Sequence, residues 1–224
     1  MNKIFQIRED FTYAMIHDMK TPLSSIFTAL YFLHSGRLDN KPETKEKYYT
    51  IAENEVDHLL TLTNRALTLS KLESHKLEMN REDVQLEPII ENLTLKFSAK
   101  AQKPVRFTAD LKAPMVYADK EYLEEVLSNL MDNAIKYSKP EGVDIRIRSE
   151  LNEKYTVVKV HDNGLGISEA DQRTIFNKYE RAAAGRKKNK NRPSGFGLGL
   201  NFVQQVMHAH EGKVFVTSIE GEFT

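Results

Sequence analysis

Apolar residues recur at steps of three and four in two long stretches near the start of the chain. At about 100° per residue, those of residues 4–33 fall on one side of a helix, and those of residues 43–75 do the same. The connecting residues 35–42 are rich in turn formers. The pattern predicts two long helices joined as an antiparallel hairpin. Because one hairpin cannot cover so wide an apolar stripe, we expect it to form a homodimer, a four-helix bundle.

A polar linker is predicted at residues 78–84, and after it helical and strand segments alternate along the rest of the chain. Helices are predicted at residues 88–100 and 119–137, around Ile175 and Phe176, and from the glycine-rich residues 194–200 onward. Strands are predicted at residues 105–111, 115–118, 143–151, 155–162 and 213–219. The sequence therefore predicts a helical domain over residues 1–78 and an α/β sandwich domain over residues 79–224.

Composition narrows the possible functions. Of 224 residues, 40% are hydrophobic and 29% charged, and the formal net charge is zero, so overall charge suggests neither nucleic acid nor an anionic membrane as a partner. Without cysteine there is no disulfide or thiolate metal site, which fits a reducing cytoplasm. No run approaches the ~20 apolar residues of a membrane span. Because the first helical pattern has no capping residue, we expect a cytoplasmic fragment of a longer, membrane-anchored protein.

His17 lies outside the apolar side of the first predicted helix. Thr21 follows it one helical turn later and Asp18 is its neighbour, so an imidazole, a carboxylate and a hydroxyl share one exposed flank. Pro22 leaves the carbonyl of Asp18 without a helical donor, and we expect a kink there. A lone surface histidine usually has no special role, so this cluster needs further support.

Asn129, Asn133, Lys136 and Tyr137 lie along one flank of the predicted helix 119–137, whose other side is apolar. A buried amide without a partner costs about 1–3 kcal/mol. Two asparagines one turn apart beside a lysine therefore favour a ligand over simple packing. The alternative is a solvated helix face.

The segment Asp162-Asn-Gly164-Leu-Gly166 follows a predicted strand. The glycines permit a tight backbone, and the Asp162 carboxylate could accept a hydrogen bond from an exocyclic amine such as that of adenine. A plain turn or a β-bulge explains this segment equally well.

Gly195, Gly197 and Gly199 precede Leu200 at the start of the last predicted helix. Glycines at a helix N-terminus leave backbone N–H groups open to an anion, which is phosphate-binding chemistry. The basic, polar residues 177–194 before them predict a mobile loop. Neither a Walker motif nor a dinucleotide-binding βαβ unit is present.

Taken in chain order, these motifs resemble those of the sensor histidine kinases of bacterial two-component systems. The phosphoacceptor box, the asparagine box, the first glycine box, the phenylalanine box and the second glycine box correspond to residues 17–23, 129–138, 162–167, 175–176 and 194–200. The family normally adds a final strand after a glycine turn, and the sequence stops within that region, at Gly221-Glu-Phe-Thr224.

The resemblance implies an α/β ATP-binding domain of the histidine-kinase, gyrase and Hsp90 type behind the dimerising hairpin. Asn133 would then ligate Mg²⁺ with Asn129 as its support, Lys136 would lie near phosphate and Tyr137 near the base, and Asp162 would bind adenine. The glycines of both glycine boxes, including Gly164 and Gly166, would line the nucleotide.

The resemblance also implies a reaction. ATP would phosphorylate His17, with Asp18 orienting or deprotonating the imidazole, and the phosphoryl group would pass to an aspartate of a response regulator. Thr21 would support dephosphorylation of that regulator, or else only satisfy a backbone carbonyl beside Pro22. The rival functions are another ATPase or protein kinase of the same nucleotide fold, and a degenerate scaffold that signals without ATP.

Overall fold

The computed structural model describes residues 3–73, 78–101, 103–177 and 199–224, with the backbone alone for residues 3–15, 17, 18, 65, 69, 72 and 73. The chain divides into two compact units, a helical hairpin and an α/β domain. The predicted domain boundary at residues 78 and 79 lies between the end of the hairpin at Glu73 and the first strand at Arg81.

The hairpin consists of α1 (Lys3–His34) and α2 (Pro42–Glu73). Pro42 opens α2, a position where its missing N–H costs no hydrogen bond. Ala29 and Leu62 are buried, and the rings of Phe32 and Tyr48 join the two helices at a centroid distance of 5.2 Å. None of the described helices is both long and apolar enough to cross a bilayer.

A second set of apolar side chains on the hairpin is exposed in the single chain. It comprises Ile16, Leu23, Phe27, Leu30 and Tyr31 of α1 and Tyr49, Ile51, Val56, Leu60 and Leu67 of α2. Each Å² of apolar surface left in water forgoes about 25 cal/mol of burial free energy. The hairpin therefore carries the uncovered face that the predicted four-helix bundle requires.

The described residues of the α/β domain form two sheets. Its elements are β1 (Arg81–Gln85), α3 (Leu86–Lys100), β2 (Val105–Leu111), β3 (Met115–Asp119), α4 (Lys120–Lys136), β4 (Val143–Leu151), β5 (Thr156–Asp162), α5 (Glu169–Gln172) and α6 (Gly199–Ala209). One sheet has the order β2-β4-β5, with β2 parallel and β5 antiparallel to β4, and the other pairs β1 with β3 antiparallel.

The core of this domain lies between the three-stranded sheet and helices α3 and α4. Along β4, Ile145 and Ile147 are buried and alternate with the exposed Arg146 and Arg148, as the period of two in the sequence predicts. Met131 of α4 is fully buried in the same core. The predicted sandwich of helices on a sheet is therefore confirmed.

The strand predicted at residues 213–219 is absent. The segment alternates in exposure, but its assigned pairing is a single bridge between Ile219 and Phe223. An extended segment becomes a strand only when a neighbouring backbone binds its N–H and C=O groups, and here no neighbour among the described residues does so along its length.

Two other predictions also differ from the structure. The residues predicted as a linker include β1. Its polar side chains gave no strand pattern in the sequence, because this strand is stabilised by backbone pairing with β3. Ile175 and Phe176 follow α5 instead of lying in a helix, because the carbonyl of Asp171 accepts hydrogen bonds from the N–H groups of both Thr174 and Ile175 and closes the helix in a turn.

Candidate functional site

A tight turn follows β5, whose last residue is Asp162. Asp162 is 9% exposed, and its carboxylate accepts a hydrogen bond of 2.8 Å from the N–H of Gly164. Burial raises the pKa of the Asp162 carboxyl, while the Gly164 hydrogen bond and the nearby His161 oppose that rise. The buried carboxylate has acceptor capacity left for a donor on a ligand.

The C-terminal end of α4 holds this turn in place. Tyr137, which caps α4, accepts a hydrogen bond of 2.9 Å from the N–H of Leu165 through its carbonyl. A Cβ atom on Gly164 would lie 2.8 Å from the same oxygen. Only glycine therefore allows the turn to pack this closely against the end of α4.

The N-terminus of α6 meets α4 at Asn129. This asparagine is 3% exposed, and its amide donates a hydrogen bond of 2.8 Å to the carbonyl of Glu125. A Cβ atom on Gly199 would lie 3.0 Å from the Oδ1 atom of Asn129. Asn133 lies one turn further along α4 and is half-buried. The N-terminus of α6 therefore lies beside the asparagine flank of α4.

The N-terminus of α4 and the C-terminal end of α6 are joined by hydrogen bonds. The carboxylate of Asp119 caps the N-terminus of α4. The N–H of Asp119 donates to Nε2 of His210 at 2.9 Å, and Nδ1 of His210 lies 2.8 Å from the carbonyl of Val206. Because Nε2 accepts, Nδ1 carries the proton of the neutral ring. Arg81 adds a hydrogen bond of 2.7 Å to the carbonyl of Ala209.

Asn201 connects α6 to the segment after α5. It is 3% exposed, and its amide donates a hydrogen bond of 3.0 Å to the carbonyl of Phe176. In the described part of the chain its Oδ1 atom has no hydrogen-bond partner. The phenylalanine segment is therefore held against the first turns of α6.

Two family models match the chain. The His Kinase A (phospho-acceptor) domain matches residues 7–75, and the model described as histidine kinase-, DNA gyrase B- and HSP90-like ATPase matches residues 118–224. The sensor histidine kinase WalK of Bacillus subtilis is 30% identical over 99% of this chain and 36% of its own length. The chain belongs to the bacterial sensor histidine kinases.

Other comparisons agree with this histidine kinase assignment. The sensor protein RprX of Bacteroides fragilis is 27% identical over 95% of this chain and 41% of its own length. The chain thus spans well under half of these two curated relatives. Among solved structures, the histidine kinase AdeS of Acinetobacter baumannii matches with a TM-score of 0.67 and 26% identity, covering 92% of this chain and 94% of AdeS. The resemblance seen in the sequence is confirmed.

The structure of this histidine kinase brings several predicted residues together. Asp162, Gly164 and Tyr137 meet at the turn after β5, and Asn129 meets Gly199. Lys136, predicted to lie near phosphate, forms an ion pair of 2.6 Å with Asp132.

The remaining predicted residues are placed less completely. Leu200 is half-buried in the first turn of α6. His17 and Asp18 belong to α1, where Thr21 is exposed one turn later, but their side chains lie outside the described residues. Gly195, Gly197 and most of the basic segment 177–194 also lie outside them.

Sequence reasoning missed the contacts that support the site. His210, which belongs to none of the five motifs, ties α6 to Asp119. Nothing in the local pattern indicates this, because the two residues are 91 positions apart. Asn201 had a usable signal, since it is a polar residue among the apolar Leu200, Phe202 and Val203, directly after the second glycine box.

Gly166 provides a direct test of the turn's packing. It has φ +63°, and a Cβ there would overlap the carbonyl oxygen of Ile219, whereas Gly221 has φ +86° with no atom within 4 Å of a Cβ. Gly221→Ala should cost about 1–2 kcal/mol of unfolding free energy through backbone strain alone. Gly166→Ala adds a steric clash, and should cost clearly more in urea unfolding. Equal losses in the two variants would show that this contact does not constrain the turn.

Proposed function

We propose that this chain is an ATP-dependent protein histidine autokinase of two-component signalling. The observation that carries the proposal is the convergence on α4 of two features, the buried Asp162 turn at its C-terminal end and the N-terminus of α6 at Asn129. One offers an acceptor for a base and the other offers free N–H groups for phosphates. The hairpin supplies the phospho-acceptor half of the reaction.

We assign the nucleotide roles as the resemblance to the histidine kinases implies. Asp162 accepts a hydrogen bond from the adenine amino group, and Tyr137 lies beside the base. Gly199 and Leu200 present backbone N–H groups to the phosphates, with Lys136 nearby, and Gly195 and Gly197 are assigned to the same phosphate site. Gly164 and Gly166 allow the backbone to approach the nucleotide.

Asn133 is proposed as a ligand of Mg²⁺, with Asn129 as its support. An amide oxygen suits this hard cation. The described residues contain no cluster of three His, Cys, Asp or Glu side chains that could hold a metal. The protein therefore fits a metal that takes most of its ligands from phosphate and water, which is how Mg²⁺ enters nucleotide sites. When bound, Mg²⁺ neutralises charge on the phosphates.

On the hairpin, neutral His17 provides the nucleophilic ring nitrogen. Its bond to the γ-phosphorus forms as the bond between that phosphorus and the β,γ-bridging oxygen breaks, and ADP leaves with the electron pair. Asp18 orients the imidazole and accepts the proton of its other nitrogen. Phosphoryl transfer needs mainly positioning and charge neutralisation, so few further groups are required.

The proposal includes partners. The exposed apolar face of α1 and α2 is covered in a homodimer, and phospho-His17 passes its phosphoryl group to an aspartate of a response regulator. ThkA, a histidine kinase solved in complex with the response regulator TrrA, shares the fold at a TM-score of 0.63 and 22% identity. The division at residues 78 and 79 and the cytoplasmic placement within a membrane-anchored sensor are proposals of the same kind.

His17→Gln should abolish labelling from γ-labelled ATP, because the acceptor nitrogen is lost, while the affinity for Mg-ATP stays unchanged, because the nucleotide site belongs to the other unit. The measurement is the yield of acid-labile, base-stable label together with calorimetric titration. His34→Gln, the same change at an exposed position of α1, is the control and should label normally. Normal labelling of His17→Gln would remove His17 from its proposed role.

Affinity for Mg-ATP should fall as the pH is lowered through the raised pKa of Asp162, because the neutral carboxyl is a weaker acceptor than the carboxylate. The raised pKa places this loss at a higher pH than for an ordinary aspartate. Asp162→Asn should bind more weakly at neutral pH. Titrations at stepped pH should show that this variant lacks the wild-type part of the pH dependence. Identical profiles for the two proteins would contradict the assignment of Asp162 to adenine.

The kinase is also proposed to dephosphorylate its regulator through Thr21. Thr21 is exposed one turn from His17, so its hydroxyl can orient a water for in-line attack on a docked phospho-aspartate. Thr21→Ala should slow dephosphorylation of the regulator and largely spare autophosphorylation. Thr21→Ser, which keeps the hydroxyl, should retain both activities. Equal loss of both activities in Thr21→Ala, or loss of neither, would make Thr21 structural.

A further inference from the structure

Two residues that belong to none of the five motifs form hydrogen bonds to the turn after β5. They are Gln172, the last residue of α5, and Ser218, near the end of the chain. The amide of Gln172 donates hydrogen bonds to the carbonyl of Ile167 at 2.8 Å and to the carbonyl of Ser218 at 2.9 Å. Both of its N–H bonds are thus used on backbone oxygens of two separate segments.

Ser218 completes the contact. Its hydroxyl accepts a hydrogen bond of 2.7 Å from the N–H of Ile167 and donates one to the carbonyl of Phe223. Together, Gln172 and Ser218 bind both polar groups of the Ile167 backbone. They therefore fix the position of the residue directly after Gly166.

The residue before Gly166 is fixed in the same way. Leu165 donates its N–H to Tyr137, and its carbonyl accepts a hydrogen bond of 2.7 Å from the N–H of Gly221. Gly166 lies between these two anchored residues, against the carbonyl of Ile219. The backbone of the turn consequently has little freedom on either side of Gly166.

From this geometry we infer that Gln172 and Ser218 are positioning residues for adenine recognition. They act through the turn, which carries the Gly164 N–H that is hydrogen-bonded to Asp162. A turn held at Ile167 keeps that N–H on one side of the carboxylate and leaves the remaining acceptor sites for the base. The inference rests on the proposed nucleotide site at Asp162.

The hydrogen-bond pattern favours positioning over core packing. Gln172 and Ser218 are half-buried, and their side-chain hydrogen bonds go mainly to backbone groups of the turn and of the C-terminal segment. Neither residue is part of the hydrophobic core of the α/β domain. A side chain that holds two carbonyls with two N–H groups cannot be replaced by an acceptor of the same shape, because acceptor would face acceptor.

Gln172→Glu is the sharpest test, since it keeps the size of the side chain and removes both donors. We expect the Kd for Mg-ATP in calorimetric titration of the full chain to rise about tenfold, given two hydrogen bonds of ordinary strength. The Kd for Mg-GTP should change less than about twofold, because the phosphate contacts lie on α6 and are untouched. Partial unfolding would not change the ratio of the two affinities, because unfolded chains lower the binding stoichiometry for both nucleotides.

Gln85→Glu is the matched control. Gln85 is exposed and pairs with Met115. The carbonyl of Met115 accepts a hydrogen bond from Thr156 at the start of β5, and Thr156 precedes Asp162 by six residues. The same chemical change there should leave both affinities unaltered. Ser218→Ala serves as a second variant should Gln172→Glu fail to fold, and it should lower the ATP-to-GTP affinity ratio in the same direction.

The outcomes separate this inference from the proposed function. If the wild-type chain binds neither nucleotide, the proposed function fails and the inference fails with it. If the wild-type chain binds ATP while Gln172→Glu and Ser218→Ala keep its affinity ratio, only the inference is overturned. A fall in the ratio in either folded variant, with Gln85→Glu unchanged, supports it.

Discussion

Asp119 is the residue on which the two helices of the nucleotide site both depend. Its carboxylate caps α4 and also accepts a hydrogen bond from the N–H of Asn80, and its own N–H binds His210 at the end of α6. The N-terminus of α4 is thus fixed to the C-terminal end of α6, and the two helices also meet at Asn129 and Gly199. A replaced cap typically costs about 0.5–2 kcal/mol. Here a replacement would also remove the hydrogen bond from Asn80, while the backbone N–H that binds His210 would remain.

The parts of the fold that could be predicted are those where a single segment carries the information. The alternation along β4 and the apolar side of α4 each identify an element and its buried face. β1 could not be predicted in this way, because its stability comes from backbone pairing with β3 and not from its polar side chains. The alternation at residues 213–219 led to a wrong strand prediction. The side-chain pattern is present there, but a pattern alone does not supply a pairing partner.

The candidate site divides along the same line. Asp162, the asparagines and the glycines could be named because their residue types at those spacings indicate a chemistry. The contacts that support these residues could not be predicted, because Gly166 packs on Ile219 and Gln172 binds Ser218 across sequence separations that a local pattern does not record. The positive φ of Gly166 explains after the fact why glycine stands there. The proposed nucleophile, His17, and the proposed nucleotide site belong to separate units of the chain.

The central claim is that both halves of an autokinase reside in this one chain. The most direct measurement is phosphorus NMR of the purified chain after incubation with Mg-ATP, together with mapping of the modified peptide by mass spectrometry. The account predicts a single phosphoramidate, stable in base and lost in acid, on the peptide that contains His17. An acid-stable phosphoester on a serine, threonine or tyrosine, or hydrolysis of ATP with no phosphorylated chain, would contradict it.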